Sequence, residues 1–272
     1  MENYDIDILS MLIEAENMLL EDFNKIKDNI IKFINFIINK IKDLFYKIKN
    51  FFRKKIQDEI RVTLTIDDYK KYIGNSALDV IFKDGIERRK QEVEREQYNN
   101  AGTINEDMYN DLTKFESKFK SVTNREFEIV REMINILKTN MTTEDEDKIR
   151  LLKNELFHIN FDLEGDMRYE KRYIGYHKDK IITIDKPSVI KYLNEIDKRI
   201  DNLSKYESVY INSLNEVKNI LSHNSEKIVL DNAKYVTSVI EGLSKGFMAN
   251  FNLFSKMYNG CITIKYKNLI VK

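Results

Sequence analysis

Tryptophan is absent, proline occurs once and glycine eight times in 272 residues. These two residues are the ones that interrupt helices, so their scarcity argues against a loop-rich β architecture and favours helix. A single cysteine, Cys261, excludes an intrachain disulfide and points to a reducing or redox-neutral compartment. Beside it Ile262-Thr263-Ile264 alternates like a strand, and a small packed thiol accounts for Cys261 better than a nucleophile does. No run of about 18 apolar residues occurs, since even 30–38 is broken by Lys32 and Asn35, so no membrane span is expected. The first 24 residues hold no Lys or Arg, opposite to the basic start of a secretory signal. An excess of charge of one sign is missing as well. With 45 basic against 45 acidic residues, bulk charge names no nucleic-acid partner.

Catalytic signatures are equally scarce. No phosphate-cradling Gly loop, Gly-x-Ser-x-Gly turn or His-Glu-x-x-His helix occurs. His158, His177 and His223 are far apart and, with one Cys, make no zinc pattern. Only a convergent polar pocket around His158 or His177 would revive an enzymatic reading. Glu144-Asp145-Glu146-Asp147 suits the first turn of a helix, where acids favour the dipole, better than a cation loop. The expectation is therefore a chain with no catalytic residue, no cofactor and no metal.

What is present is patterned. Residues 1–24 form an acidic leader carrying Glu2, Asp5, Asp7, Glu14, Glu16, Glu21 and Asp22, with the apolar spacing of a short helix. Charge then reverses: from Lys25 to Lys55 ten basic residues face two acids, a local +8. At 100° per residue Ile26, Ile30, Ile34, Ile37, Ile41, Leu44, Ile48 and Phe52 share one side of a helix. Their neighbours widen the apolar arc to about 160°. Lys25, Lys32, Lys40, Lys47, Arg53 and Lys54 lie opposite, joined by the misfits Phe36 and Tyr46. The spacing predicts a basic amphipathic helix over 25–56. It suits three roles: a bundle helix with a solvated lysine face, an interfacial helix on anionic lipid, or an electrostatic contact with DNA or an acidic protein.

The body, 57–272, reads as mainly helical. Residues 61–66 alternate like a short strand, and 86–98 resemble a solvated helix stopped by Asn99 to Gly102. Met108, Leu112, Phe115, Phe119 and Val122, then Phe127, Val130, Ile134 and Leu137, recur at helical spacing. Thr143 and Glu146 form a candidate capping box before a stripe of Ile149, Leu152, Leu156, Ile159 and Leu163. A β-hairpin is expected over 171–184, a helix start at Pro187 and a further strand over 261–271.

Two seams with coiled-coil spacing follow. Val189, Leu193, Ile196, Ile200, Leu203, Tyr210, Leu214, Val217 and Leu221 form the first, with Glu207 in one slot. Val229, Ala233, Val236, Ile240, Leu243, Phe247, Phe251, Phe254 and Tyr258 form the second. Joined by a short turn, they should fold into a long antiparallel helical hairpin over 188–258, with Glu207 at a defect or an interface. The fold class expected is mainly α: a helical bundle with that C-terminal hairpin and a small antiparallel β element.

The run Ile30-Ile31-Lys32-Phe33-Ile34-Asn35-Phe36-Ile37-Ile38-Asn39-Lys40-Ile41-Lys42-Asp43-Leu44-Phe45, continuing to Lys55 behind its acidic leader, resembles N-terminal segments of virion structural or prohead-core proteins of large tailed bacteriophages. The resemblance covers the first 55 residues. It implies a non-enzymatic virion or head-assembly protein, assembled in the host cytoplasm. Its partners would be other virion or scaffold proteins, neighbouring copies in a homo-oligomer, or DNA. It also implies processing after Glu in Leu/Ile-x-Glu contexts, which here match Glu14 and Glu21. The alternative is a peripheral protein on the cytoplasmic face of a membrane, docking the same helix on anionic lipid.

Overall fold

The computed structural model describes residues 23–64, 99–139, 141–159, 181–224 and 226–264. These residues are mainly helical. In chain order the elements are α1 (Phe23–Leu64), β1 (Gly102–Asn105), α2 (Glu106–Leu137), α3 (Thr143–His158) and β2 (Ile181–Ile184). Then come α4 (Lys186–Ser204), α5 (Tyr206–His223), α6 (Lys227–Gly260) and β3 (Ile262–Ile264). The segments 1–22, 65–98, 160–180 and 265–272 lie outside the described residues, and with them the leader, Glu14, Glu21, the 86–98 segment and His177.

The basic helix is longer than its pattern suggests. The strand expected at 61–66 does not form over 61–64, which is the last turn of α1. A growing helix adds one hydrogen bond for each residue it orders, whereas a strand needs a partner elsewhere.

The chain divides into two compact units. The first comprises Met1–Tyr46, Phe119–Phe161 and Lys205–Ala249. The second comprises Lys47–Lys118, Asp162–Ser204 and Asn250–Lys272.

In the first unit the apolar side of α1 is core: Ile30, Ile34, Ile37, Ile38, Ile41 and Phe45 are buried. Lys27 Nζ donates to the Ser222 carbonyl at 3.4 Å and Lys218 Nζ to Asn35 Oδ1 at 2.8 Å, which sets α1 antiparallel to α5. The hairpin expected over 188–258 is present from 206 onward as α5 and α6. Tyr210, Leu214, Val217 and Leu221 are buried with Val229, Ala233, Val236, Ile240 and Phe247, and Tyr210 Oη donates to the Leu243 carbonyl at 3.3 Å. Asn224 Oδ1 accepts from the Glu226 amide at 2.9 Å and closes the turn.

At α3 the structure departs from the sequence pattern twice. Its N-cap is Thr142 and its capping box pairs Thr142 with Asp145, one residue before the expected Thr143 and Glu146. Both pairs satisfy the same spacing rule, and the earlier one starts the helix one residue sooner. The expected buried stripe is also thinner. Ile149 is buried, whereas Leu152, Leu156 and Ile159 are half-buried, and Leu163 lies outside the described residues.

The second unit holds the sheet and α4. Val189, Leu193, Ile196, Ile200 and Leu203 of α4 are buried, as are Phe251, Phe254 and Tyr258 of α6 and Phe52 and Ile56 of α1. The sheet order is β2-β1-β3, both pairs antiparallel, with Gly102 opposite Ile184 and Ile264. A strand therefore does follow the expected hairpin segment, and another the tail, but both pair with 102–105. Gly102 is required there, because a Cβ would lie 2.7 Å from the Thr263 carbonyl oxygen and 3.0 Å from a Val189 methyl. Asn105 Oδ1 accepts from the Met108 amide at 3.0 Å and turns β1 into α2. Asp185 does the same for α4 through Ser188 at 2.9 Å, beside the helix start marked by Pro187.

The slot occupied by Glu207 coincides with a break. Lys205 is a turn between α4 and α5, and Glu207 falls, half-buried, in the first turn of the new helix, where an acid is favourable.

Candidate functional site

The basic face of α1 is the candidate partner-binding site that the sequence offers; the candidate processing positions Glu14 and Glu21 lie outside the described residues. In the first unit Lys25 and Lys32 are exposed, and Lys40 is half-buried with its ammonium 5.7 Å from the Phe36 ring. In the second unit Lys47 and Lys54 are exposed. Arg53, by contrast, turns inward: its Nε lies 3.1 Å from Asp197 Oδ1, while Lys49 Nζ reaches Asp201 at 2.8 Å. These pairs hold α1 antiparallel to α4. Each is partly solvated, so each contributes at most about 1 kcal/mol. Lys42 and Lys55, at the flanks of the polar arc rather than opposite the apolar centre, are exposed too. Tyr46, a misfit of the wheel, is 68% exposed.

A second cluster was not expected. Glu116, only 2% exposed, accepts hydrogen bonds from Tyr258 Oη at 2.7 Å and Arg199 Nη1 at 3.0 Å. Arg199 Nε donates to Tyr109 Oη at 3.4 Å, and Tyr109 Oη donates to Glu195 at 3.0 Å. The guanidinium carbon lies 5.6 Å from the Tyr109 and the Tyr258 ring centres. Burial, then the Glu116 charge, pushes the Tyr258 hydroxyl far above the usual phenol range. Burial opposes the charge on Arg199, but hydrogen bonds to Tyr109 and Glu116 more than restore it. The phenols are thus hydrogen-bond donors rather than bases, and the cluster ties α2, α4 and α6 together. One signal for it existed: Glu116 interrupts the apolar stripe between Leu112 and Phe119, where a charge needs a buried partner.

The two described histidines are exposed, at the ends of α3 and α5. His223 Nδ1 lies 2.8 Å from the Asn219 carbonyl. A shallow hollow beside it, about 690 Å³, is lined by Leu137, Ile220 and the Lys138 to Glu216 ion pair, which closes at 2.9 Å. Glu144, Asp145 and Glu146 occupy the first turn of α3, and Lys148 lies 3.4 Å from both Glu144 and Asp145. Among the described residues no group of three His, Cys, Asp or Glu is placed to hold a metal ion. No helix among them is long and apolar enough to cross a membrane.

These features define a mainly helical protein with a small, open, antiparallel sheet. Comparison with protein-family models, curated proteins and solved structures finds no match to this chain.

Proposed function

We propose that this chain is a non-enzymatic assembly protein of a bacteriophage virion, docking on a scaffold, neighbouring subunits or DNA through the outward lysines of α1. The observation that supports the reading is the division of α1 into two sides. Ile30, Ile34, Ile37, Ile41, Phe52 and Ile56 are buried in the protein's own core, while Lys25, Lys32, Lys42, Lys54 and Lys55 are exposed. A helix whose apolar side is already occupied meets a partner by charge. Charge gives register and association rate, and it weakens with salt. The phage setting rests on the resemblance of the first 55 residues.

The same division counts against the lipid alternative. Interfacial docking buries the apolar side in the bilayer, and here that side is inside the protein. The lysines alone leave roughly 1 kcal/mol of attraction each to an anionic surface.

Purified particles test the proposal. Peptides of this protein should be found in virions, and the Lys32→Glu/Lys42→Glu variant, which alters only exposed residues, should be incorporated less well while melting like the parent. Particles lacking the protein, or unchanged incorporation of the variant, would defeat it.

A further inference from the structure

Within residues 49–55 the cations divide into two sets. Lys49 and Arg53 face α4 and are matched by Asp201 and Asp197. Lys54 and Lys55 face outward, and among the described residues neither makes an ion pair. Phe51 lies three or four positions from Lys47, Lys54 and Lys55, and Asn50 lies three or four from Lys47 and Lys54, so the five share one side of the helix. All five are exposed. Phe51 is 65% exposed and stands among the lysines, its ring edge-to-face with Phe52 at 5.0 Å. Phe52 itself is 3% exposed, so the outward ring is braced against a fixed one. A large apolar ring in water, held in place and ringed by cations, has the anatomy of a small interface: an aromatic anchor with a charged rim.

Resting on the assembly reading above, we propose that this side of α1 docks an acidic polypeptide segment that carries one apolar anchor residue. The anchor packs on Phe51, and carboxylates on either side of it reach Lys54 and Lys55. Charge complementarity selects acid over base. The patch selects polypeptide over nucleic acid, because none of its five residues is an arginine, the residue best suited to phosphate, and the neighbouring Arg53 faces α4 and holds Asp197. A bilayer is disfavoured because a single phenylalanine is far short of the apolar stripe that interfacial helices insert.

Fluorescence anisotropy on the full-length protein tests this with a short labelled Glu-rich peptide bearing one central Phe. The peptide should bind at low ionic strength, weaken with salt, and weaken again when its own Phe is replaced by Ser. On the protein side, Phe51→Ser and Lys54→Glu/Lys55→Glu should each loosen binding by roughly tenfold, the scale of a hot-spot residue. Both change exposed side chains, and matching thermal melts would establish intact folding.

Binding that ignores Phe51→Ser, no binding at all, or a preference for a thymidine oligonucleotide or phosphatidylglycerol vesicles would overturn the proposal. The broader reading fails separately. If the peptide does not bind but Lys32→Glu/Lys42→Glu still lowers incorporation into particles, only the docking site is wrong.

Discussion

The two compact units fill their interiors with different chemistry. At the centre of the first is Phe247, 3% exposed, whose ring lies 5.0 Å from those of Phe119 and Tyr206, 5.6 Å from Phe45 and 5.7 Å from Tyr210. In the second, the buried carboxylate of Glu116 is hydrogen-bonded to Arg199, which is half-buried between two tyrosine rings. Four helices contribute to the first cluster and three to the second. The aromatic cluster gains from area removed from water and tolerates several ring arrangements of similar energy. The ionic cluster gains little net energy, because desolvating two charges offsets their attraction, but its geometry admits one register. On this comparison the first unit gains its stability from packing, and the second uses its cluster for specificity.

The largest effects should come from breaking each centre. Phe247→Ala removes a ring from four aromatic neighbours and should cost roughly 3–5 kcal/mol. Glu116→Ala removes the acceptor shared by the Arg199 guanidinium and the Tyr258 hydroxyl, and should also cost about 3–5 kcal/mol. The informative variant replaces both charges: Glu116→Leu with Arg199→Met should recover most of that loss. Urea unfolding of the three variants tests the comparison. If the apolar pair is as damaging as Glu116→Ala alone, the ionic cluster is a net source of stability and the contrast fails.

A smaller effect should separate the units by pH. Glu126, on α2 in the first unit, has its carboxyl pushed up to about 7 by burial. Its charge in turn reinforces the effect of burial in pushing the Tyr210 hydroxyl up. The ordinary value is 4.5, so between there and about 7 the folded state keeps a proton that the unfolded state has lost. Stability should therefore fall as pH rises through that window, by roughly 1–3 kcal/mol once solvent relaxation is allowed for. Melting curves from pH 4.5 to 8 should show the decline in the parent, and Glu126→Gln should flatten it. A parent whose stability does not decline over this range would mean that the Glu126 carboxyl is better solvated than its position on α2 implies.

How legible each unit was in the sequence follows from the same chemistry. Period-based reading depends on apolar residues recurring on one face, and the α1, α5 and α6 stripes recur without interruption, so their buried sides were visible. Glu207 broke the seam, and the helix breaks there as well. The sheet was only half legible. Strands β2 and β3 alternate apolar with polar or belong to isoleucine-rich runs, but their shared partner, Gly-Thr-Ile-Asn at 102–105, holds a single apolar residue, Ile104, and begins with a residue that more often ends helices. Gly102 is fixed instead by the close approach of Thr263, a long-range fact that no local pattern carries. The Arg199 cluster was hidden for a related reason. The two residues that hydrogen-bond Glu116, Arg199 and Tyr258, lie 83 and 142 positions from it, and a charged residue on a helix is ordinarily read as surface. The basic face lay open to reading because it is local, although local spacing did not separate Arg53, which is paired, from Lys54, which is exposed.

The smallest expected effect concerns α3, the element of the first unit that contributes least to its interior. Ile149 is its one buried side chain, and Leu151 and Phe157 are 66% and 71% exposed. With so little packing to hold it, α3 should depend on its ends more than α1 or α6 does, because a helix of this length is marginal without tertiary support. Thr142 supplies the N-terminal end. Its hydroxyl accepts from the Asp145 amide at 3.3 Å, and its own amide donates to Asp145 Oδ2 at 3.1 Å. Thr142→Ala should therefore lower stability by about 1 kcal/mol at neutral pH. Hydrogen bonds from the backbone and the hydroxyl of Thr142 hold the Asp145 carboxyl below the usual carboxylate range. A depressed value means the charged form is favoured on folding, so this contribution is complete above the ordinary carboxylate value and is lost as pH falls through the folded one. The difference between Thr142→Ala and the parent should shrink in strong acid. Hydrogen exchange should register the change in α3 first, with faster exchange at the Asp145 and Glu146 amides and unchanged protection across α6. Equal loss of protection in α3 and α6 would show that α3 opens only with the whole first unit, and that its cap supports the aromatic core as well as its own first turn.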